Sequence, residues 1–128
     1  MSILSLAGKD FVGILEMPFY GSVLPVCAEW GHISQYPCCF SGSVYDGTLQ
    51  IGGTSQKGQF DFYRGISVGD SLFFTDMEGN RFTYRIQEIE VLDGTAIEQM
   101  CAGDWDLTLF TCTIGGASRV TVRCEKDI

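Results

Sequence analysis

Asp106-Leu107-Thr108-Leu109-Phe110-Thr111-Cys112-Thr113, then Ile114-Gly115-Gly116-Ala117-Ser118, then Arg119-Val120-Thr121-Val122-Arg123: this stretch reads as strand, loop, strand. Leu107, Leu109 and Thr111 alternate with Thr108, Phe110 and Cys112, the period-two pattern of a half-buried strand. Val120 and Val122 resume that alternation after the Gly115-Gly116 break. Paired as a hairpin, the two strands bring Cys112 and Arg119 together across its mouth, where a cation stabilises a thiolate or a developing oxyanion. In that register Cys124 lies opposite Leu107, about five strand residues or roughly 16 Å from Cys112, too far for a disulfide.

Working outward, the chain shows short alternating runs separated by turn residues. Asp10 to Met17 reads as a first strand stopped by Pro18, and Ser22 to Cys27 as a second, which Pro25 confines to an edge or a bulge. From Glu29 to Tyr45 periodicity fails, and Gly31, Pro37, Gly42 and Ser43 mark a long loop. Asp46-Gly47 turns the chain into a strand, Thr48 to Gly53, that runs into glycines. Gln59 to Arg64 reads as a short helical turn, and Gly69-Asp70 opens the strand Ser71 to Thr75. The connection Asp76 to Asn80 reads as a hairpin with Gly79-Asn80 at the positive-φ positions, leading into a long partner strand, Arg81 to Val91. Phe82, Tyr84 and Ile86 alternate there with polar neighbours; Asp93-Gly94 ends the run, and Ala96 to Cys101 reads as one more helical turn. Seven or eight strands and no long helix predict an all-β fold, a closed barrel over residues 1–128 as one domain.

Bulk properties narrow the function. The net charge of −8, with only 8 Lys and Arg, argues against nucleic-acid or anionic-membrane surfaces, which need clustered cations. No apolar run approaches the ~18 residues of a bilayer span. Met1 to Gly8 lacks the basic start and apolar core of a signal peptide, so the chain reads as a soluble piece. Among the 6 cysteines, the adjacent Cys38 and Cys39 make strained partners. A mostly reduced set is expected, with Cys27, Cys101 and Cys124 as small core residues. No Cys/His zinc spacing, calcium loop, phosphate-cradling glycine loop or serine nucleophile elbow occurs, so neither a metal nor a cofactor is predicted.

Thr108-Leu109-Phe110-Thr111-Cys112, with Arg119 opening the next strand, resembles the Thr-Leu-x-Thr-Cys signature of the sortases, bacterial cysteine transpeptidases. Gly13-Ile14-Leu15-Glu16-Met17-Pro18 and Leu24-Pro25-Val26 are similar to the way sortase barrels open, and the Gly69-Asp70 and Gly79-Asn80 features follow in sortase order. The details look nearest to the class B and D branches of Gram-positive Firmicutes. The resemblance implies that Cys112 attacks a peptide carbonyl in a C-terminal sorting signal and that Arg119 steadies the oxyanion or the substrate. It further implies that Phe110, Thr111 and Thr54 line the peptide site. The thioacyl intermediate would pass to an amine of the cell wall or a pilin, outside the cytoplasm at the cell surface, with the domain acting as a monomer and needing no cofactor. Sortases usually carry an N-terminal membrane anchor, which this sequence does not show.

One part of the family pattern is missing. Ile51-Gly52-Gly53-Thr54 has the apolar-x-Gly-His context and the strand end that the family's histidine requires, but Gly53 stands in the histidine's place. The single histidine, His32, lies in the irregular loop upstream, where it is either an exposed loop residue or a substitute acid folded over the barrel mouth. The sequence therefore implies a transpeptidase impaired or inactive in this chain; the alternative is a catalytically dead barrel that binds an extended peptide. A third reading gives Cys112 a redox role with Cys38 or Cys39. Arg123, on the same strand face as Arg119, reads as an exposed strand arginine, and the run of carboxylates from Glu88 to Asp106 as a solvated face. Trp105 and Phe110 read as core, with a peptide groove as the other option.

Overall fold

Strands β1 (Leu4–Leu6), β2 (Lys9–Met17), β3 (Ser22–Cys27), β4 (Cys38–Ser41), β5 (Leu49–Thr54), β6 (Ser71–Asp76), β7 (Arg81–Asp93), β8 (Leu107–Cys112) and β9 (Ser118–Lys126) make up the fold. The structure is a computed structural model that describes residues 1–33, 35–54, 60, 65–93, 103–112 and 118–127. The helical turns predicted at 59–64 and 96–101 fall outside these residues, apart from Phe60. A 3₁₀ turn, Trp30–His32, lies between β3 and β4. The strands form one sheet in the order β1-β2-β3-β4-β5-β8-β9-β7-β6, and β6 pairs back onto β2. Eight strands thus close a barrel, while β1 pairs with the start of β2.

Alternation explains which side chains fill the barrel. In β6, Leu72, Phe74 and Asp76 are buried while Ser71, Phe73 and Thr75 are partly exposed, the strict period of a one-sided strand. Leu15, Met17, Leu49, Ile51, Tyr84, Ile86, Leu107, Leu109, Val122 and Cys124 come from five other strands to join Leu72, Phe74 and Phe60 in one core. In β7 a bulge between Ile86 and Glu88 advances the phase by one, so the inward row Tyr84, Ile86 continues at Ile89 rather than Glu88. β3 meets β4 through the single pair Cys27↔Cys38. Pro25 therefore lies on a strand that is almost an edge, as its missing N–H requires.

Several sequence expectations need correction. The long loop from Glu29 to Tyr45 contains the 3₁₀ turn and β4, which crosses to β5 through a bulge between Cys39 and Ser41. β1 was not anticipated, because its Leu-Ser-Leu run is wholly exposed. At the β6–β7 turn only Gly79 takes positive φ, at 88°. Asn80 instead closes the turn through its backbone N–H, which donates to Asp76 Oδ1 at 2.8 Å.

Asp76 also ties that turn to the β4–β5 connection. The Tyr45 hydroxyl donates to its carboxylate, Asn80 Nδ2 donates to it at 3.2 Å, and the Glu78 N–H donates at 3.0 Å. Burial opposes the charge on Asp76, but the bonds from Tyr45, Asn80 and Glu78 outweigh it and hold the carboxyl below its ordinary value. A folded pKa below the unfolded one contributes stability above the unfolded value of about 4, and that contribution is lost as pH falls through the folded pKa. Asp76→Asn is therefore expected to lower the unfolding midpoint at neutral pH and to flatten its decline below about pH 4; thermal melts from pH 7 to pH 2 read both effects.

Candidate active site

Three adjacent strands end together. β5 and β8 run parallel with Gly53↔Thr111 and Thr54↔Cys112 as Cα partners, and β8 and β9 run antiparallel with Cys112↔Arg119. The hairpin register expected from sequence is thus the observed one, including Leu107↔Cys124. Gly53, Thr54, Thr111, Cys112 and Arg119 occupy neighbouring ladder positions at one end of the β5-β8-β9 layer. Phe110 comes two residues earlier on β8.

Phe110 is only 2% exposed, although its strand was expected to be half-buried. The reason is an aromatic cover on the outer surface. Trp30 stacks on Phe110 with ring centroids 5.8 Å apart, and Phe40 meets both rings edge-on at 5.3 Å. The cover fits because Gly52 is bare: a Cβ there would lie 2.5 Å from Phe110 Cζ and 2.5 Å from Trp30 Cη2. Trp30 and Phe40 were missed as site residues. The signal that points to them is a glycine inside a strand, which marks close approach of another group. Gly52→Ala is expected to push Trp30 off Phe110 at a cost of about 1–2 kcal/mol, seen as a red shift in tryptophan emission that Trp30→Phe removes.

The guanidinium of Arg119 sits 5.8 Å from the Phe110 ring centroid, so this cation extends along the outer surface of β8. Thr111 points the other way. Its hydroxyl is buried and has no hydrogen-bond partner among the described residues, and its ladder partner is Gly53. His32 occupies the 3₁₀ turn with Trp30, and its carbonyl accepts from the N–H groups of Gln35 and Tyr36 at 2.9 and 3.1 Å. The segment that carries the only histidine therefore packs, through Trp30, on the same sheet layer as Phe110.

The remaining candidates fall away from this end. Arg123 is 6% exposed rather than a surface residue, and Glu90 and Glu88 pair with it, the latter at 3.5 Å. Two of the carboxylates read as a solvated face thus neutralise a buried cation. Trp105 lines a separate cleft of about 360 Å³ with Asp46, Gln50, Asp104 and Thr108, toward the start of β8 and away from Cys112. Asp106, also in that cleft, accepts the Lys126 N–H at 2.7 Å. Among the described residues no cluster of His, Cys, Asp and Glu could hold a metal ion. Cys27 and Cys124 are buried free thiols, as expected, whereas Cys101 lies outside the described residues.

The closed eight-strand barrel with a parallel β5–β8 pair is the sortase fold. Among solved structures, sortase A from Corynebacterium diphtheriae superposes with a TM-score of 0.79 at 19% identity, over 94% of this chain and 62% of that one. Sortase C-3 from Streptococcus pneumoniae gives 0.79 at 21% identity, over 96% of this chain and 65% of that one. Sortase C from Clostridium perfringens, with the C-terminal cell wall sorting motif, gives 0.78 at 20%, over 94% and 72%. The chain thus spans somewhat under two thirds of the length of the first two. No protein-family model and no curated protein sequence matches it. Among the described residues no helix is long and apolar enough to cross a membrane.

Proposed function

We propose that residues 1–128 form a sortase-like domain whose chemistry is thioacyl transfer at Cys112, slowed in this chain because Gly53 stands where the family has its histidine. The observation that carries the reading is the pairing of Cys112 with Arg119 across the β8–β9 ladder, with Gly53 and Thr54 on the parallel neighbour. In the proposed reaction the Cys112 thiolate adds to a peptide carbonyl of a sorting signal, and Arg119 offsets the negative charge that develops. Collapse of the adduct expels an amine, which must take up a proton, and leaves a thioester on Cys112. An amine of the cell wall or a pilin, or water, then attacks the thioester and frees the thiol.

The missing group is the proton donor to the departing amine. Solvent or His32, carried on the turn that Trp30 docks, takes its place. Of the three residues expected to line the peptide site, the partly exposed Thr54 beside the Cys112 position is placed to do so; Phe110 backs the site beneath Trp30 and Phe40, and Thr111 is buried on the opposite face. The class B or D assignment, the sorting-signal substrate and a location outside the cytoplasm rest on the sequence motifs, and the Clostridium sortase C structure with the C-terminal cell wall sorting motif supports the substrate class.

A second reading is favoured by Gly53 itself: a barrel that keeps the peptide site and does not turn over. A panel of Leu-Pro-x-Thr-type peptides separates the two. The transpeptidase reading expects an acyl adduct on the intact protein that is absent from Cys112→Ala. Saturable peptide binding of equal strength in both proteins, with no adduct, selects the binding module. Absence of both overturns the two together.

A further inference from the structure

Cys27 ends β3 and Cys38 begins β4, and these two residues are the only Cα partners that join the strands. Elsewhere the barrel is held by longer ladders, so this is its thinnest seam. Paired strands lie about 4.8 Å apart, inside the Cα window of roughly 4.4–6.8 Å that a disulfide requires. Both side chains are fully buried, and with Phe11 they form a small core of their own, flanked by Ile33, Tyr36 and Met77. Both are free thiols, and they lie within side-chain hydrogen-bonding reach of each other. Cys38 Sγ also donates to the Tyr36 carbonyl at 3.4 Å, so the intervening segment folds back over the pair. Two small apolar residues would fill the space equally well, but two thiols in ladder register across a single-pair seam can also be joined covalently.

We propose that Cys27 and Cys38 are a disulfide site that closes the 27–38 segment and locks β3 to β4. The bond would tether at both ends the segment that carries Trp30 and His32, and it stands independently of any reaction at Cys112. It forms by exchange with an external disulfide. One cysteine, as thiolate, attacks that disulfide, makes a mixed disulfide and expels one carrier thiol. The second thiolate then attacks the mixed bond and expels the other carrier thiol. The two cysteines lose two protons and two electrons, and the carrier disulfide is reduced to two thiols. In the folded reduced chain, burial and the neighbouring Cys27 push the Cys38 thiol up to about 12, and burial raises Cys27 as well. Exchange therefore takes place before the segment closes, and the finished bond is shielded from reductants.

The test folds the full chain from denaturant with oxidised and reduced glutathione, quenches with acid, and alkylates the remaining thiols under denaturing conditions. Chymotryptic cleavage after Trp30 is expected to leave the fragments bearing Cys27 and Cys38 joined until reductant is added, with neither residue alkylated. The same linkage is expected in Cys39→Ser, where the adjacent thiol cannot substitute. Alkylation of both Cys27 and Cys38, or linkage of either to any other cysteine, overturns the proposal, as does loss of the link in Cys39→Ser.

Discussion

Placing an imidazole at position 53 is expected to raise the rate of acyl-adduct formation on Cys112 by about 10²–10⁴-fold, the usual contribution of a positioned general acid or base. Gly53 is the ladder partner of Thr111, one residue before the Thr54↔Cys112 pair at the strand end, so the position adjoins that of the proposed nucleophile along the ladder, and a ring there starts from the Thr111 face and has to reach round the strand end. The Thr111 hydroxyl, buried without a partner among the described residues, is the nearest group in register to orient a ring at that position. An imidazolium near Cys112 would also favour the thiolate, which Arg119 must otherwise stabilise alone. The comparison is Gly53→His against the unsubstituted chain in single-turnover kinetics, with Cys112→Ala as the blank. Thr54→His tests placement, because it moves the ring one residue along the ladder and is expected to give the smaller gain. His32→Ala in the unsubstituted chain completes the set. A further fall in rate would assign the residual proton transfer to the turn at Trp30–His32, and no change would assign it to solvent.

Gly13→Val is expected to be the most damaging single change to the fold. Gly13 pairs with Val26 of β3 on one side and with Asp76 of β6 on the other, at the seam where β6 returns to β2 and closes the barrel. A Cβ there would collide with the Phe74 ring and lie 2.6 Å from the Thr75 carbonyl oxygen. The ring could turn, but the carbonyl belongs to the paired strand and moves only if the seam opens. The expected cost is about 3 kcal/mol or more, a large share of the roughly 5–15 kcal/mol that holds a typical domain folded. Thermal unfolding should read it as a fall in Tm of roughly 10 °C. Ile14→Ala, one residue away and facing solvent at 38% exposure, serves as the control and is expected to change stability by less than about 1 kcal/mol.

The parts of the fold written in local alternation were legible in the sequence. Leu107 to Cys112 and Arg119 to Cys124 fixed their own register, since a slip of one residue would turn Leu109 and Val122 out of the core. β4 was not legible: four residues after Pro37, joined to β5 through a bulge, leave no period to detect. Arg123 was misread because its burial depends on Glu88 and Glu90, which only the β7–β9 ladder brings beside it. The pairing of Cys112 with Arg119 was legible because it follows from the register of one hairpin, whereas the parallel pairing that sets Gly53 beside Thr111 joins strands far apart in the chain and leaves no local signal. The site's aromatic cover was not legible either, since Trp30 reaches Phe110 from a segment without periodicity, across the bare surface of Gly52.

The proposed chemistry turns on whether Cys112 is the nucleophile of a peptide site. The measurement is mass mapping of the chain after reaction with a Leu-Pro-x-Thr peptide that ends in a thiol-reactive ketone, against the same reactive group without the peptide. The predicted result is one label on Cys112, formed faster with the peptide than without it and slowed by Arg119→Ala. Labelling spread over other thiols such as Cys39, or a rate that ignores the peptide, would contradict it.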